Sequence, residues 1–408
     1  ANLNAIIKED QNLKLKIIYF WSFNYLFNLS SKCWRAYQLK NVILVTVDCL
    51  RADHLNCYGY KRLTSPFISS LARKGWMFTN FYSNSSYTSA SIASMITSTY
   101  PFDYGEYLEY STPAKLSRRR ILLSEVLKSY GYSTAFFHDN PYLSPFFGYK
   151  RGFDKVVDFG GKSESFSKVK WKIFSILRNE KTRRIIWRTK RLTSFLKWYF
   201  QETPLNTDAE TILREAVKWV RQVHKPFFLW VHLMDTHVPY CPKHDLLDKF
   251  GINKFNALRV IYKRFKHKTL SDAEFEIFKL LYDVQIYQID LALSKYLPKI
   301  TDGDVRDNYV IITADHGENL EDKEKAGSHS DRLTDNLLRI PLIIYGGGLE
   351  PRRIEAKASL IDLAPTIVDL LGFKKPRGFK GESLLKLDKP RKVIAQGIFK
   401  GVRCQRIL

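Results

Sequence analysis

Two apolar, β-rich runs of this chain each end in an aspartate, and this repeated pattern constrains the fold more than any other feature. The first run, residues 42–47, precedes Asp48, and the second, residues 309–314, precedes Asp315 and His316. Short runs rich in Val, Ile and Thr predict buried parallel strands. Ligand sites of open α/β sheets lie beyond the carboxyl ends of such strands. Two carboxylates and an imidazole at that edge suit one divalent cation, which indicates a metal-dependent enzyme.

Alternating strand and helix signals predict an α/β fold: a three-layer αβα sandwich around a central, largely parallel sheet, with a short C-terminal subdomain. At 408 residues the chain is long for a single core, so an appendage is expected. We divide it into an N-terminal extension at residues 1–38, a catalytic domain at 39–372 and a short C-terminal segment at 373–408. Residues 77–83 are predicted to form one strand after the first helix.

Capping boxes mark the starts of two predicted helices. Thr207 pairs with Glu210 at the first start, and Ser271 pairs with Glu274 at the second. Pro298 is expected to end the second helix, because proline disrupts the hydrogen bonding of a helix interior.

A strongly basic segment, interpreted as a helical insertion, lies at about residues 162–200. It holds twelve Lys/Arg against two acids, which is +10 of the chain's net charge of +24, and its apolar residues recur at helical spacing. Such a segment fits a solvated insertion packed on the core by its apolar face. Contact with a membrane surface or with lipid phosphate is the next interpretation. Nucleic acid is the least favoured partner.

The composition favours a cytoplasmic protein, with association to a membrane surface as an alternative. No stretch reaches the roughly 20 uncharged apolar residues that a membrane span needs. The closest, residues 17–29, is interrupted by polar residues, and we interpret it as an interfacial or packing helix rather than a signal peptide. The five cysteines fit no zinc-ribbon spacing and indicate free thiols in a reducing compartment.

Two histidines are expected at the same edge as the aspartates. His237 closely follows a predicted strand that ends at His232, and His329 lies in the loop after the Asp315 strand. An imidazole there can bind an oxyanion, ligate a metal or protonate a leaving group near neutral pH. His232 itself is expected to be a buried, hydrogen-bonded member of its strand.

A nucleophile is expected in the hydroxyl-rich run that precedes the second predicted helix. A hydroxyl at a helix N-terminus feels the positive end of the helix dipole, and metal coordination lowers its pKa further. The residue types alone leave Thr88, Ser89 and Ser91 as alternatives. Cys49 is adjacent to Asp48, but strand alternation predicts that the two side chains point apart.

In this order, the motifs resemble those of the sulfatase family within the alkaline phosphatase superfamily. The similarity runs from about residue 41 to residue 385 and includes motifs at 45–55, 64–80, 88–97, 226–240, 282–290, 314–318, 361–372 and 381–384. The resemblance implies that Thr88 is the nucleophile and that His237 and His329 bind an anionic ester substrate and assist catalysis. It also implies one divalent cation, Mn²⁺, Mg²⁺, Ca²⁺ or Zn²⁺, with the ligands Asp48, Thr88, Asp315 and His316.

The sequence departs from the family pattern at the nucleophile. Sulfatases convert a Cys or Ser, followed by Pro two residues later and Arg four residues later, into formylglycine. Here those three positions are Thr88, Ala90 and Ile92, and threonine cannot become formylglycine. The second aspartate of the family's usual Asp-Asp pair is Cys49, which implies the loss of one metal ligand.

Three functions fit these residues. A threonine ester cannot expel sulfate by elimination as the formylglycine hydrate does, which favours phosphate esters or diesters that are hydrolysed or transferred through Thr88. A true sulfuric ester hydrolase without formylglycine is the first alternative. A non-catalytic homologue that binds anionic surfaces through its basic segment is the second.

Overall fold

The computed structural model describes residues 39–105, 115–160, 207–266, 268–329, 332–387, 391–399 and 402–408. Residues Asn41–Leu408 form one compact unit. The predicted N-terminal extension and the basic segment both lie outside the described residues, so both stay predictions.

A mixed, mostly parallel sheet of eight strands forms the centre of the fold, in the order β5-β4-β6-β1-β7-β8-β2-β9. The strands of the described residues are β1 (Asn41–Val47), β2 (Trp76–Phe78), β3 (Phe81–Tyr82), β4 (Ser133–His138), β5 (Lys155–Asp158), β6 (Phe227–Leu233), β7 (Asn308–Ala314), β8 (Leu342–Gly346), β9 (Arg352–Ile354), β10 (Ala358–Ser359), β11 (Ile394–Phe399) and β12 (Val402–Ile407). Strand β8 runs antiparallel to both of its neighbours. Strands β3 and β10 pair separately, and β11 and β12 form an antiparallel hairpin near the C-terminus.

Helices flank this sheet and confirm the predicted αβα sandwich. They are α1 (Pro66–Lys74), α2 (Thr88–Thr97), α3 (Leu123–Ser129), α4 (Ala209–Val220), α5 (His244–Lys249), α6 (Lys254–Phe265), α7 (Asp272–Ile300), α8 (Asp335–Leu338) and α9 (Leu363–Leu370). Helix α7 packs against α1, α4 and α6, whereas α9 packs against α2. Within the described part of the chain, no helix is both long and apolar enough to cross a bilayer.

The apolar runs that end in aspartate form the middle of the sheet. Every residue of β1, β6 and β7 is buried, as expected for strands covered on both faces. Strands β1 and β7 are adjacent and parallel, with Val47 paired to Ala314. Asp48 and Asp315 therefore leave the sheet side by side.

The predicted strand at residues 77–83 is wrong in its extent. The chain forms two short strands, β2 and β3, which belong to different sheets and are separated by Thr79 and Asn80. The N–H of Thr79 donates to Ile354, at the end of β9, while the carbonyl of Asn80 accepts from Ala358 in β10. The chain changes its pairing partner between these two residues, which ends the first strand.

The capping box at Ser271 is confirmed. Its side chain accepts from the N–H of Glu274, and the Glu274 carboxylate accepts from the N–H of Ser271. Helix α7 continues past Pro298 to Ile300, so the predicted stop is wrong. The proline lies in the final turn, where the helix is about to end in any case.

The capping box predicted for Thr207 and Glu210 is wrong. Asp208 is the N-cap of α4, and its side chain accepts from the N–H of Thr211 at 3.0 Å. The carboxylate of Glu210 instead forms an ion pair with Lys243 at 2.6 Å. Because Asp208 caps the helix with its own side chain, Glu210 is not needed for capping and is available for a tertiary contact.

Candidate active site

The carboxyl ends of β1 and β7 bring Asp48, Asp315 and His316 together, all fully buried. His316 Nε2 lies 3.5 Å from Asp315 Oδ2 and 3.9 Å from Asp48 Oδ1. Within the described residues, Asp315 Oδ2 has no hydrogen-bond partner. These atoms converge on one point at the edge of the sheet.

The two aspartates form a buried acidic pair whose members ionise differently. Burial raises the pKa of Asp315, and the neighbouring charge of Asp48 raises it further. Burial also opposes ionisation of Asp48, but a hydrogen bond from His232 and the charges of His237 and His316 lower its pKa well below the usual value. Two such carboxylates ionise together only when a cation compensates them. The orphaned oxygen of Asp315 and the oxygen-rich donor set fit a divalent cation.

Thr88 lies beside this acidic pair as the first residue of helix α2. Its hydroxyl donates to Asp48 Oδ2 at 3.3 Å, and its Oγ1 is also 3.3 Å from His316 Nε2. Tyr87, the extended residue before the helix, supplies no side-chain cap, and the positive end of the α2 dipole lies at Thr88. Ser91 instead donates to the carbonyl of Tyr87, which turns its hydroxyl into the helix.

The orientation of His316 follows from its backbone surroundings. Its Nδ1 lies 2.8 Å from the carbonyl oxygen of Gly317, which can only accept a hydrogen bond. The proton is therefore assigned to Nδ1, and the lone pair of Nε2 faces Thr88 and the carboxylates. A side chain at Gly317 would clash with the carbonyl oxygen of Asn336, so the close approach of these loops requires glycine.

A relay of hydrogen bonds orients Asp48 from within the sheet. The indole N–H of Trp230 donates to Thr46 Oγ1 at 2.9 Å, and that oxygen lies 2.8 Å from His232 Nδ1. His232 Nε2 is 3.3 Å from Asp48 Oδ2. With its Nδ1 held by the Thr46 hydroxyl, His232 presents Nε2 to the carboxylate of Asp48. The prediction of a buried, hydrogen-bonded His232 is confirmed, and the residue also supports the carboxylate.

Cys49 points into the site, so the prediction that it turns away from Asp48 is wrong. Its Sγ lies 3.0 Å from Asp48 Oδ1 and 3.6 Å from His329 Nδ1. Strand β1 ends at Val47, and Cys49 has φ of 61°, in the left-handed region. Strand alternation does not apply to such a turn. Burial raises the pKa of this thiol well above its ordinary value, and the nearby carboxylates add to the effect.

His237 and His329 lie next to each other over the same site. Their ring centroids are 5.3 Å apart, and His329 also stacks on His316 at 4.6 Å. His329 Nδ1 lies 3.4 Å from Glu318 Oε1. Burial opposes ionisation of Glu318, but the charges of His329 and His237 lower its pKa below the usual value. His329 is buried, whereas His237 is half-buried.

The structure thus brings together every predicted site residue, and it adds one that the sequence reading missed. Asn140 Nδ2 donates to Asp48 Oδ2 at 2.9 Å, and its Oδ1 accepts from the N–H of Tyr142. Asn140 follows β4, whose aromatic run at residues 136–137 was not assigned to a strand. Assigning that strand would have placed Asn140 at the same edge as Asp48.

Comparison with known proteins identifies the family and the fold. Residues 40–373 match the sulfatase family. The chain belongs to the sulfatase family. An uncharacterized sulfatase of Escherichia coli K12, YidJ, is 24% identical over 388 residues, which cover 87% of this chain and 72% of YidJ. The ulvan-active sulfatase of Formosa agariphila is 23% identical over 377 residues, 86% of this chain and 65% of that enzyme.

Among solved structures, the phosphonate monoester hydrolase of Agrobacterium radiobacter shares the fold. The TM-score is 0.65 at 16% identity, and the alignment covers 88% of this chain and 80% of that enzyme. The alignments span 72% of YidJ and under two thirds of the ulvan-active sulfatase. At these identities the comparisons establish family and fold, and the substrate is a separate question.

Proposed function

We propose that this chain is a metal-dependent ester hydrolase or transferase that acts on phosphate esters, including diesters, through Thr88. The observation that carries the proposal is the position of Thr88 Oγ1, 3.3 Å from both Asp48 Oδ2 and His316 Nε2 at the N-terminus of α2. A hydroxyl held between a carboxylate and an imidazole, at the positive end of a helix dipole, has the surroundings of an activated nucleophile.

Asp48, Asp315, His316 and Thr88 would hold one divalent cation, which would supply Lewis-acid stabilisation of the charge that develops on the ester oxygens. The oxygen-rich donor set fits Mg²⁺, Mn²⁺, Ca²⁺ or Zn²⁺. The N-terminus of α2 lies beside this set, so the substrate anion would be received there.

In the first chemical step, Thr88 Oγ1 attacks phosphorus, and its proton is released to bulk water as the bond to phosphorus forms. The new bond joins Oγ1 to phosphorus as the bond from phosphorus to the leaving oxygen breaks. His237 or His329 protonates that leaving oxygen, because both imidazoles stand over the site. The product of this step is a phosphothreonine ester and a free alcohol.

In the second step, water attacks the phosphorus of the threonine ester. The imidazole that gave its proton to the leaving group now takes one from the water, and a proton from bulk water returns to Thr88 as its oxygen leaves. An acceptor alcohol in place of water would make the same site a transferase.

The phosphate class is preferred because formylglycine cannot form at Thr88. A threonine ester of sulfuric acid has no second hydroxyl through which to expel sulfate, whereas a phosphoryl group on threonine can be displaced by water. One relative by sequence is an ulvan-active sulfatase, which keeps sulfate esters open, whereas a structural neighbour is a phosphonate monoester hydrolase. Sulfate ester hydrolysis without formylglycine is therefore the second candidate.

A non-catalytic homologue is the third candidate, and it would use the basic segment at 162–200 to contact a membrane surface or lipid phosphate. The convergence of Thr88, His316 and the two aspartates weighs against it. For the chain as a whole we also propose a cytoplasmic location, which rests on its free cysteines.

Parallel assays separate these candidates. Release of p-nitrophenol from bis(p-nitrophenyl) phosphate, from p-nitrophenyl phosphate and from p-nitrophenyl sulfate is followed with Mn²⁺, Mg²⁺, Ca²⁺ or Zn²⁺, and again with EDTA. The proposal expects EDTA-sensitive hydrolysis of a phosphate ester at a rate well above that of the sulfate. A clear preference for the sulfate favours the second candidate, and no turnover of any ester favours the third.

A further inference from the structure

Helix α6 carries a stripe of exposed aromatic and cationic side chains on its outward side. Phe255, Arg259, Tyr262 and Lys266 follow one another at spacings of four, three and four residues, and all four are exposed. We propose that this stripe docks the chain on the surface of an anionic phospholipid bilayer. The inference goes beyond the proposed function, because it holds for whichever ester the site cleaves, and it does not rest on the basic segment at 162–200.

The opposite side of α6 packs on the protein. Ala257, Val260 and Ile261 are buried, and α6 packs against α7. Burial in the core therefore accounts for these apolar residues, but it does not account for Phe255, which is 62% exposed, or for Tyr262, which is 41% exposed. Aromatic rings left in water beside cations are typical of side chains that lie at a membrane–water interface.

The stripe belongs to a strongly basic stretch of the chain. Residues 243–268, which include α5 and α6, hold eight Lys/Arg against two acids, and α6 itself contains no acidic residue. Arg259 and Lys263 pair with Glu274 at 3.4 and 2.6 Å, yet half of the Arg259 side chain stays exposed. Each Lys or Arg close to an anionic leaflet strengthens binding roughly 5-fold.

The aromatic and cationic members of the stripe lie at the same level. The Nζ of Lys266 is 5.6 Å from the centroid of the Tyr262 ring. A ring and an ammonium group placed together suit the headgroup layer of a bilayer, where amphipathic rings and cationic side chains meet lipid phosphates.

The shape and charge of the stripe favour a bilayer over other partners. The outward side of a helix is convex and lies readily on a flat surface, whereas single-stranded nucleic acids are held in positively charged grooves. A second copy of this chain would bring two basic stripes together, and like charges repel.

The stripe lies on a helix that is joined to the candidate active site. Arg264, near the end of α6, donates from Nη1 to the carbonyl of Glu324 at 3.1 Å. Glu324 belongs to the loop that continues to His329. Docking through α6 would therefore hold this loop near the bilayer.

Sedimentation of the full chain with vesicles tests the docking surface without any turnover. Vesicles of phosphatidylcholine with phosphatidylserine are compared with vesicles of phosphatidylcholine alone, at low and at physiological salt. We expect binding to the anionic vesicles that weakens with salt, and little binding to the neutral ones. The double variant Phe255→Ser/Tyr262→Ser should bind at least about 10-fold more weakly. The double variant Arg259→Gln/Lys266→Gln should bind roughly 20-fold more weakly.

Matched controls carry the same changes on other surfaces. Val402→Ser/Ile407→Ser alters two exposed apolar side chains of β12, and Arg306→Gln/Arg353→Gln removes two exposed cations. Both controls should bind anionic vesicles as the wild type does. Circular dichroism should show that all four variants are folded, because each substituted side chain is exposed.

Three results would overturn the proposal. The first is a wild-type chain that does not bind anionic vesicles. The second is wild-type binding by both α6 variants, because another surface, such as the basic segment at 162–200, would then make the contact. The third is a loss of single-stranded RNA binding in the α6 variants with vesicle binding unchanged, which would assign the stripe to nucleic acid.

Discussion

The hydroxyl of Thr88 donates to Asp48 Oδ2 at 3.3 Å, and the two residues come from different structural elements. Asp48 follows the central strand β1, whereas Thr88 begins helix α2. The sheet edge therefore supplies the carboxylate and the helix terminus supplies the hydroxyl. Both are positioned by the fold rather than by a mobile loop, which is what a preorganised nucleophile requires.

Removal of the Thr88 hydroxyl should abolish turnover. We expect Thr88→Ala to lower kcat at least about 10³-fold, as is usual when a nucleophile is removed, and Thr88→Ser to keep part of the activity. The matched control is Ser94→Ala on the same helix, where the lost hydroxyl donates only to the carbonyl of Ala90. Steady-state assays with bis(p-nitrophenyl) phosphate compare the variants. Normal turnover by Thr88→Ala would exclude Thr88 as the nucleophile.

Asp315→Asn should have opposite effects on the metal-free and metal-loaded protein. Without metal, the substitution removes one of two buried carboxylates, so the free energy of unfolding should rise by about 1 kcal/mol and the midpoint of thermal unfolding by about 1 °C. With Mn²⁺ added, the wild type should gain stability and the variant should gain little. Thermal unfolding in EDTA and in Mn²⁺ measures both effects. An equal Mn²⁺-dependent shift in the two proteins would contradict the assigned ligand set.

The sequence was sufficient for the parts of the site that depend on regular structure. Asp48 and Asp315 follow runs whose burial is visible in their composition, and the parallel pairing of those runs sets them side by side. The start of α7 could also be predicted from the sequence, because Ser271 and Glu274 form a local, reciprocal pair of hydrogen bonds.

What the sequence could not show depends on irregular backbone. Cys49 enters the site because the chain leaves β1 through a left-handed residue, and the contacts that hold it there come from Asp315 and Tyr282, over 230 positions away. The cap of α4 at Asp208 rather than Thr207 reflects a choice between two adjacent competent residues. Tertiary contacts decide the backbone conformation of Cys49 and the residue that caps α4. Local sequence patterns carry no information about those contacts.

Asp235 should make stability depend on pH. Burial raises its pKa to about 7, and the charge of Asp208 adds to this against the hydrogen bonds from Ala209 and Gln288. The folded state then holds a proton that the unfolded state loses above its ordinary pKa of about 4, so this contribution to stability falls as pH rises from about 4 to 7. The slope from this one group is at most about 1.4 kcal/mol per pH unit.

Urea unfolding at pH 5 and pH 8 in EDTA measures this dependence. Asp235→Asn should flatten the difference between the two pH values and should be more stable than the wild type at pH 8. The exposed carboxylate of Asp245 offers the matched control, and Asp245→Asn should leave the slope unchanged. An unaltered slope in Asp235→Asn would show that other groups set the pH dependence.

Gly317→Ala should disturb the site through its backbone. An added methyl group would collide with the carbonyl oxygen of Asn336, so the loop that carries His316 must move. We expect a loss of stability of about 1–3 kcal/mol and a fall in metal affinity. Gly378→Ala is the control, because the nearest atom there is the flexible end of Ile121. Unfolding and Mn²⁺ titration of both variants provide the comparison, and equal behaviour would contradict this packing constraint.

The most direct test of the central claim is intact mass after brief reaction with bis(p-nitrophenyl) phosphate and Mn²⁺, followed by peptide mapping. Attack by Thr88 releases one p-nitrophenol and leaves a p-nitrophenyl phosphoryl group on the protein. The account predicts this adduct on the peptide that contains Thr88, and its absence in Thr88→Ala. Release of p-nitrophenol with an adduct on another residue, or with no adduct under rapid quenching, would contradict a threonine nucleophile.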